Sequence, residues 1–131
     1  MKGSNSSFLQ GFDDGSVYFL LNSKCVKDYF KMLCEELDNN IHVIIFKKLR
    51  KNRGYFWKSP RKKHIIELDP RDQILPTLVH ELSHSIFPEM SENDISELEI
   101  YISRRLTTKQ YKTLLEKCVK KIKHQMPSNL L

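Results

Sequence analysis

In the run Thr77-Leu78-Val79-His80-Glu81-Leu82-Ser83-His84, three side chains have the types and spacing to do chemistry. His80 and His84 are four residues apart, which on an α-helix stacks them on one face, so their imidazoles can converge on one metal ion. Glu81 borders the same point and offers a carboxylate that can accept a proton from water. Together they form H-E-x-x-H, the pattern in which paired histidines hold zinc beside a general base. Two histidines do not complete a catalytic zinc site, which takes three protein ligands and leaves the fourth position open. The third ligand must come from another element.

The helix that carries the pattern is expected to begin near Asp72, a good capping residue, with Pro76 tolerated in or near its first turn. Leu75, Leu78, Val79, Leu82 and Ile86 recur at steps of three and four and form its apolar stripe, with His80, Glu81 and His84 beside the stripe. Pro88 stops it. Ser91-Glu92-Asn93-Asp94 then has the form of a capping box with Asp in place of Glu, so a new helix starts at Ser91. The short turn makes the two helices antiparallel neighbours. Ile95, Leu98, Ile102 and Leu106 define the packed face of the second, and Glu92, three before Ile95, shares it. Glu92 is therefore the expected third ligand. Glu99, seven further on, faces inward as a support for a ligand or a partner for a basic side chain, and Glu89 in the turn is the remaining alternative. Glu97 falls on a different face, with Tyr101 and Arg104.

The rest of the chain reads as the scaffold of an α+β fold: a small twisted three- to four-stranded sheet packed on helices. Residues 1–16 read as a flexible tail, 17–126 as one domain and 127–131 as a second tail. The run 17–21 is short and apolar, an ambiguous edge strand. From Ser23, Val26, Tyr29, Phe30, Leu33 and Leu37 recur at helical spacing up to Asn39 and Asn40. Ile41–Phe46 is β-branched and apolar on both alternating faces, as in an internal strand covered above and below. Gly54–Trp57 and His64–Leu68 read as two further strands joined through Ser59-Pro60. His42 and His64 lack partners at ligand spacing and read as structural or surface residues. A last helix over 108–124 packs through Tyr111, Leu114, Leu115, Cys118 and Ile122.

The composition of the 131 residues is that of a soluble globular domain: 40% hydrophobic and 29% charged, with no apolar run long enough to cross a membrane. No secretory signal pattern opens the chain, and its three cysteines are widely spaced outside any C-x-x-C pattern. Both features fit a reducing cytoplasmic compartment. The net charge of +6 comes mainly from two clusters, 47–53 and 58–63. These could attract nucleic acid, but the favoured reading is solvated loop and strand-end charge that keeps sheet edges from pairing.

The motif, followed by Phe87-Pro88 and then by Ser91-Glu92 with Ile95 three residues on, resembles T-L-I-H-E-L-L-H…P…S-E-x-x-V. That is the signature of small single-domain zinc metallopeptidases of the minigluzincin type, many of them encoded by phages and other mobile elements. The resemblance covers roughly residues 41–106. It implies a zincin-like active-site helix followed by an antiparallel glutamate helix, with zinc held by His80, His84 and Glu92. It also implies Glu81 as general base in hydrolysing a peptide or protein substrate. Ser83 departs from the pattern, which usually has an apolar residue there. Such sites often add a Tyr or His donor to the oxyanion, and Tyr101, Tyr111 and His124 are the candidates. A peptide would bind most simply by strand addition along an exposed sheet edge, Tyr55 to Trp57.

Two rivals remain open. A SprT-like protease acting on DNA-bound proteins would use the basic clusters and the aromatics of Tyr55, Phe56 and Trp57, but that resemblance calls for a third histidine ligand following the motif and a four-cysteine ribbon, and neither is present. A non-catalytic zinc or nucleic-acid-binding module would have no use for Glu81 beside a ligand.

Overall fold

The computed structural model describes residues 23–124, apart from Lys62 and the side chains of Ser23, Lys24, Lys123 and His124. The expected edge strand at 17–21 and both tails lie outside these residues. Helix α1 (Ser23–Asn39) turns Val26, Tyr29, Leu33 and Leu37 inward, all buried, with Phe30 half-buried beside them. Strand β1 (Ile41–Phe46) follows directly, then β2 (Gly54–Trp57) and β3 (His64–Leu68). Helices α2 (Ile74–Ile86), α3 (Glu92–Arg105) and α4 (Thr108–Lys121) come next, and β4 (Ile122–His124) closes the described chain. The fold is α+β, with a mixed four-stranded sheet in the order β2-β3-β1-β4.

β3 pairs antiparallel with β2 and parallel with β1, and β4 joins the far side of β1 in parallel. The last segment therefore differs from the continuous helix expected over 108–124. The helical pattern stops at Lys121 because Ile122 turns to extended backbone and pairs with Ile44. Leu115, expected in the packed set, is exposed, while Leu114 and Cys118 hold α4 to the core.

β1 is internal to the sheet, yet it is not buried evenly on both faces. Ile41 and Ile44 are buried, whereas Val43 and Ile45 are half-buried, and α1 and α4 are the helices packed on the strand. His42 is exposed. His64 is buried, and its Nδ1 accepts from the Ser59 amide at 2.9 Å, so it organises the β2–β3 turn.

α2 runs through the centre of the molecule, packed on α1, α3, β2 and β3. Its stripe is fully buried at Leu78, Val79 and Leu82, each such side chain contributing about 1.5–3 kcal/mol of burial. The helix starts two residues later than the expected cap at Asp72: Gln73 holds the cap position without a side-chain bond, and Asp72 instead accepts from the Gln73 amide at 2.7 Å. Pro76 is the third helical residue, where an amide would have no helical partner. Ser83 is also buried. It donates to the Val79 carbonyl at 2.7 Å, leaving its oxygen to accept the Tyr29 hydroxyl at 2.5 Å, which ties α2 to α1. Among the described residues no helix is long and apolar enough to cross a membrane.

Candidate metal centre

Two helices build the site. Phe87 closes α2 by donating its amide to Ser83, the Met90 amide returns to Phe87, and Ser91 then caps α3 by accepting the Asp94 amide at 3.1 Å. α2 and α3 run in opposite directions: His84, near the end of α2, meets Glu92 at the start of α3, and His80, one turn earlier, reaches Glu99 further along. The face expected from sequence is buried as a set, Ile95, Leu98, Ile102 and Leu106.

Oε1 of Glu92 lies 2.9 Å from Nε2 of His84, and Oε2 lies 2.9 Å from Nε2 of His80. The two Nε2 atoms are 3.2 Å apart. Among the described residues these three form the group of ligand-type side chains that could share one ion. The donor set suits zinc, since two imidazoles and a carboxylate are the ligands of one class of catalytic zinc site. Ligand atoms on a tetrahedral zinc with bonds of about 2.05 Å stand about 3.3 Å apart, close to the observed spacing. Glu89, the alternative in the turn, lines the same cleft without joining this group.

The other nitrogen of His80 is also engaged. Nδ1 lies 2.9 Å from Oε1 of Glu99, which is itself held by Nη2 of Arg53 at 2.8 Å. Both roles left open for Glu99 by its sequence position thus occur at once: it supports a histidine and it pairs with a cation. An ionised carboxylate only accepts, so Nδ1 carries a proton toward Glu99, which would leave the Nε2 lone pair for a bound ion. Burial works against a charged His80, but Glu99 and the nearby carboxylates outweigh it and hold its pKa above the ordinary value. For His84, burial and the neighbouring His80 win, and its pKa is lowered. Glu99 is buried too, yet its bonds to His80 and Arg53 keep its pKa below the usual carboxylate value.

Glu81 faces the same cleft from the middle of α2, and burial pushes its carboxyl up to about 7, with His80 opposing the shift and Glu92 adding to it. Its other neighbour is β2. A Cβ at Gly54 would stand 2.6 Å from Cγ2 of Thr77 and 3.1 Å from both Oε2 of Glu81 and the Glu67 carbonyl. Glycine is what lets the edge strand lie this close to α2. The cleft between them has a volume of about 740 Å³ and runs from Lys51 and Arg53 past Glu81 and the histidines to Glu89 and Glu92.

Two of the expected oxyanion donors are elsewhere. Tyr101 is buried in α3 with Arg105 stacked 3.6 Å over its ring, on the packed side and not with exposed Glu97 and Arg104 as its helical position had implied. Tyr111 donates to the Ser103 carbonyl. Neither lines the cleft. The His124 side chain lies outside the described residues. Arg53 is the donor that sequence reasoning missed, and only its place in a basic loop marked it, because its partner Glu99 is 46 residues away. The chain matches no family model, no curated protein and no solved structure.

Proposed function

We propose that this protein is a zinc-dependent metallopeptidase of the minigluzincin type, with a zincin-like pair of site helices. The observation that carries the reading is the Glu92 carboxylate, placed 2.9 Å from Nε2 of both His80 and His84 although Glu92 belongs to a different helix. His80, His84 and Glu92 hold the ion. Zinc bound there would lower the pKa of a coordinated water toward about 7 and polarise a substrate carbonyl.

The chain's own residues do the remainder. Glu81, its carboxyl raised to about 7 by burial, is suited to take a proton near neutral pH and deliver it to the leaving amine of a peptide bond. Glu99 fixes the His80 tautomer and ring plane. β2 is an edge strand bordering the cleft, so an extended peptide can pair with its free side by strand addition and lie across Glu81.

The test is metal analysis and peptide cleavage on four proteins: the wild type, His80→Ala, Glu92→Ala and Glu81→Gln. Stoichiometric zinc is expected in the wild type and in Glu81→Gln, and little in the two ligand variants. Cleavage of a mixed peptide library should fall about 10²- to 10⁴-fold in Glu81→Gln. A wild type that binds no zinc removes the metal centre, and cleavage unaffected by Glu81→Gln removes the base and leaves a binding module.

A further inference from the structure

Among the described residues three cations line the cleft: Lys51, Arg53 and Lys58. Arg53 is spent on Glu99. Lys51 and Lys58 are exposed and make no ion pair among the described residues. They flank β2, one before Gly54 and one directly after Trp57.

The loop that carries Lys51 is held in place. Asp69, at the end of β3, accepts the Leu49 amide at 2.9 Å, and Arg71, bonded to Asp69, donates to the Leu49 carbonyl at 3.0 Å. The Asp69 amide donates to the Arg53 carbonyl at 2.8 Å, and the Lys47 amide to Leu68 at 2.9 Å. Beyond Lys58, the Ser59 amide is tied to His64. A basic loop that served only to stay hydrated would need no such anchoring. On the other wall Glu89 is the exposed acid among the described lining residues that does not face the histidines, since Glu92 turns to them. The sheet wall of the cleft is therefore positive at both ends of the strand along which a peptide would pair.

We propose that the cleft selects peptides with acidic side chains, read by Lys51 and Lys58 at the two ends of the segment paired with β2. This rests on the peptidase reading above and names its substrate class. β2 rises about 3.3 Å per residue, so the two acidic positions in the peptide stand roughly four to six residues apart. An exposed lysine–carboxylate pair gives a modest gain, about twofold to fivefold in kcat/KM for each position. The preference should weaken with salt.

The experiment uses the zinc-loaded full chain and three fluorogenic peptides that differ only in Glu, Gln or Lys at those two positions. Cleavage in the order Glu, Gln, Lys is expected, with the Glu-to-Lys ratio shrinking at high salt and inverting in the Lys51→Glu, Lys58→Glu double variant. Equal cleavage of all three, or a ratio that the double variant leaves in place, overturns the proposal. Binding of the same peptides to the zinc-loaded Glu81→Gln protein, followed by fluorescence anisotropy, separates the two readings. Tighter binding of the Glu peptide there, with no cleavage by the wild type, keeps the acidic selectivity and sinks only the peptidase. A single-stranded oligonucleotide that binds this site more tightly than the Glu peptide, through the same lysines, assigns the surface to nucleic acid and overturns it.

Discussion

Glu99 accepts from Nδ1 of His80 at 2.9 Å while the same oxygen is held by Arg53 at 2.8 Å, so one carboxylate joins the loop before β2 to α2. Such supports typically change metal affinity 10- to 100-fold when removed. Glu99→Ala is expected to weaken zinc binding by about that much, with Glu99→Gln, which retains an acceptor oxygen, less affected. Arg53→Ala should fall between Glu99→Gln and the wild type, since it frees Glu99 without removing it. Competition against a chelator of known affinity measures all three. Wild-type affinity in Glu99→Ala would show that His80 is oriented by its packing alone.

The approach of β2 to α2 makes a second prediction. In Gly54→Ala the new methyl meets Cγ2 of Thr77 at 2.6 Å, too close to be tolerated without movement, and crowds Oε2 of Glu81. Overpacking of this kind costs about 1–3 kcal/mol. Peptidase activity should drop more than stability, because Glu81 is one of the groups displaced. Thr77→Ser removes Cγ2 while keeping the hydroxyl that donates to the Gln73 carbonyl at 2.7 Å. The Gly54→Ala, Thr77→Ser double variant should therefore regain most of the melting temperature. No recovery in thermal denaturation would mean that the strain lies at Glu67 or Glu81 instead.

How much of this was legible in the sequence depends on the range of the interaction. The juxtaposition of His80, His84 and Glu92 follows from helical periodicity, a proline stop and a serine cap, all local signals, and the structure brings the three together. The inward face of Glu99 was visible too, by its seven-residue step from Glu92. Its choice of partners was not, since His80 and Arg53 reach it across 19 and 46 residues. The strand at Ile122–His124 was hidden for a related reason. Its pairing with β1 spans most of the chain, and three residues after a long amphipathic helix carry no period of their own. Tyr101 was placed on the wrong face because a helical wheel fixes angles within a helix and not how wide an arc its neighbours cover.

Asp69 makes a prediction about acid. Hydrogen bonds from the Arg71 side chain, then from the Leu49 and Arg71 amides, hold its carboxyl well below the usual range. A carboxyl whose folded pKa is depressed stabilises the protein above its unfolded pKa, near 3.9 for a free Asp, and loses that contribution as pH falls toward the folded value. The stability difference between wild type and Asp69→Asn should therefore be constant above about pH 5 and shrink below about pH 4. Denaturant unfolding across that range measures it. A difference that does not change with pH would place the origin of the effect outside the charge of Asp69.

Two helix caps, each with a hydroxyl that accepts an amide three residues on, allow the metal site to be separated from overall stability. Ser91 accepts the Asp94 amide at 3.1 Å at the start of α3, and Thr107 accepts the Gln110 amide at 3.1 Å at the start of α4. Removing either hydroxyl, as Ser91→Ala or Thr107→Ala, should cost about 0.5–2 kcal/mol. Only the first cap holds the turn that presents Glu92, the residue directly after it. Ser91→Ala should thus loosen the carboxylate that faces both histidines and weaken zinc binding several-fold, whereas Thr107→Ala, equally destabilised, should bind zinc like the wild type. Urea unfolding of the apo proteins and chelator competition on the loaded ones supply the two readings. Equal loss of zinc affinity in both variants would mean that the site senses only the stability of the domain, and that the first turn of α3 has no special hold on Glu92.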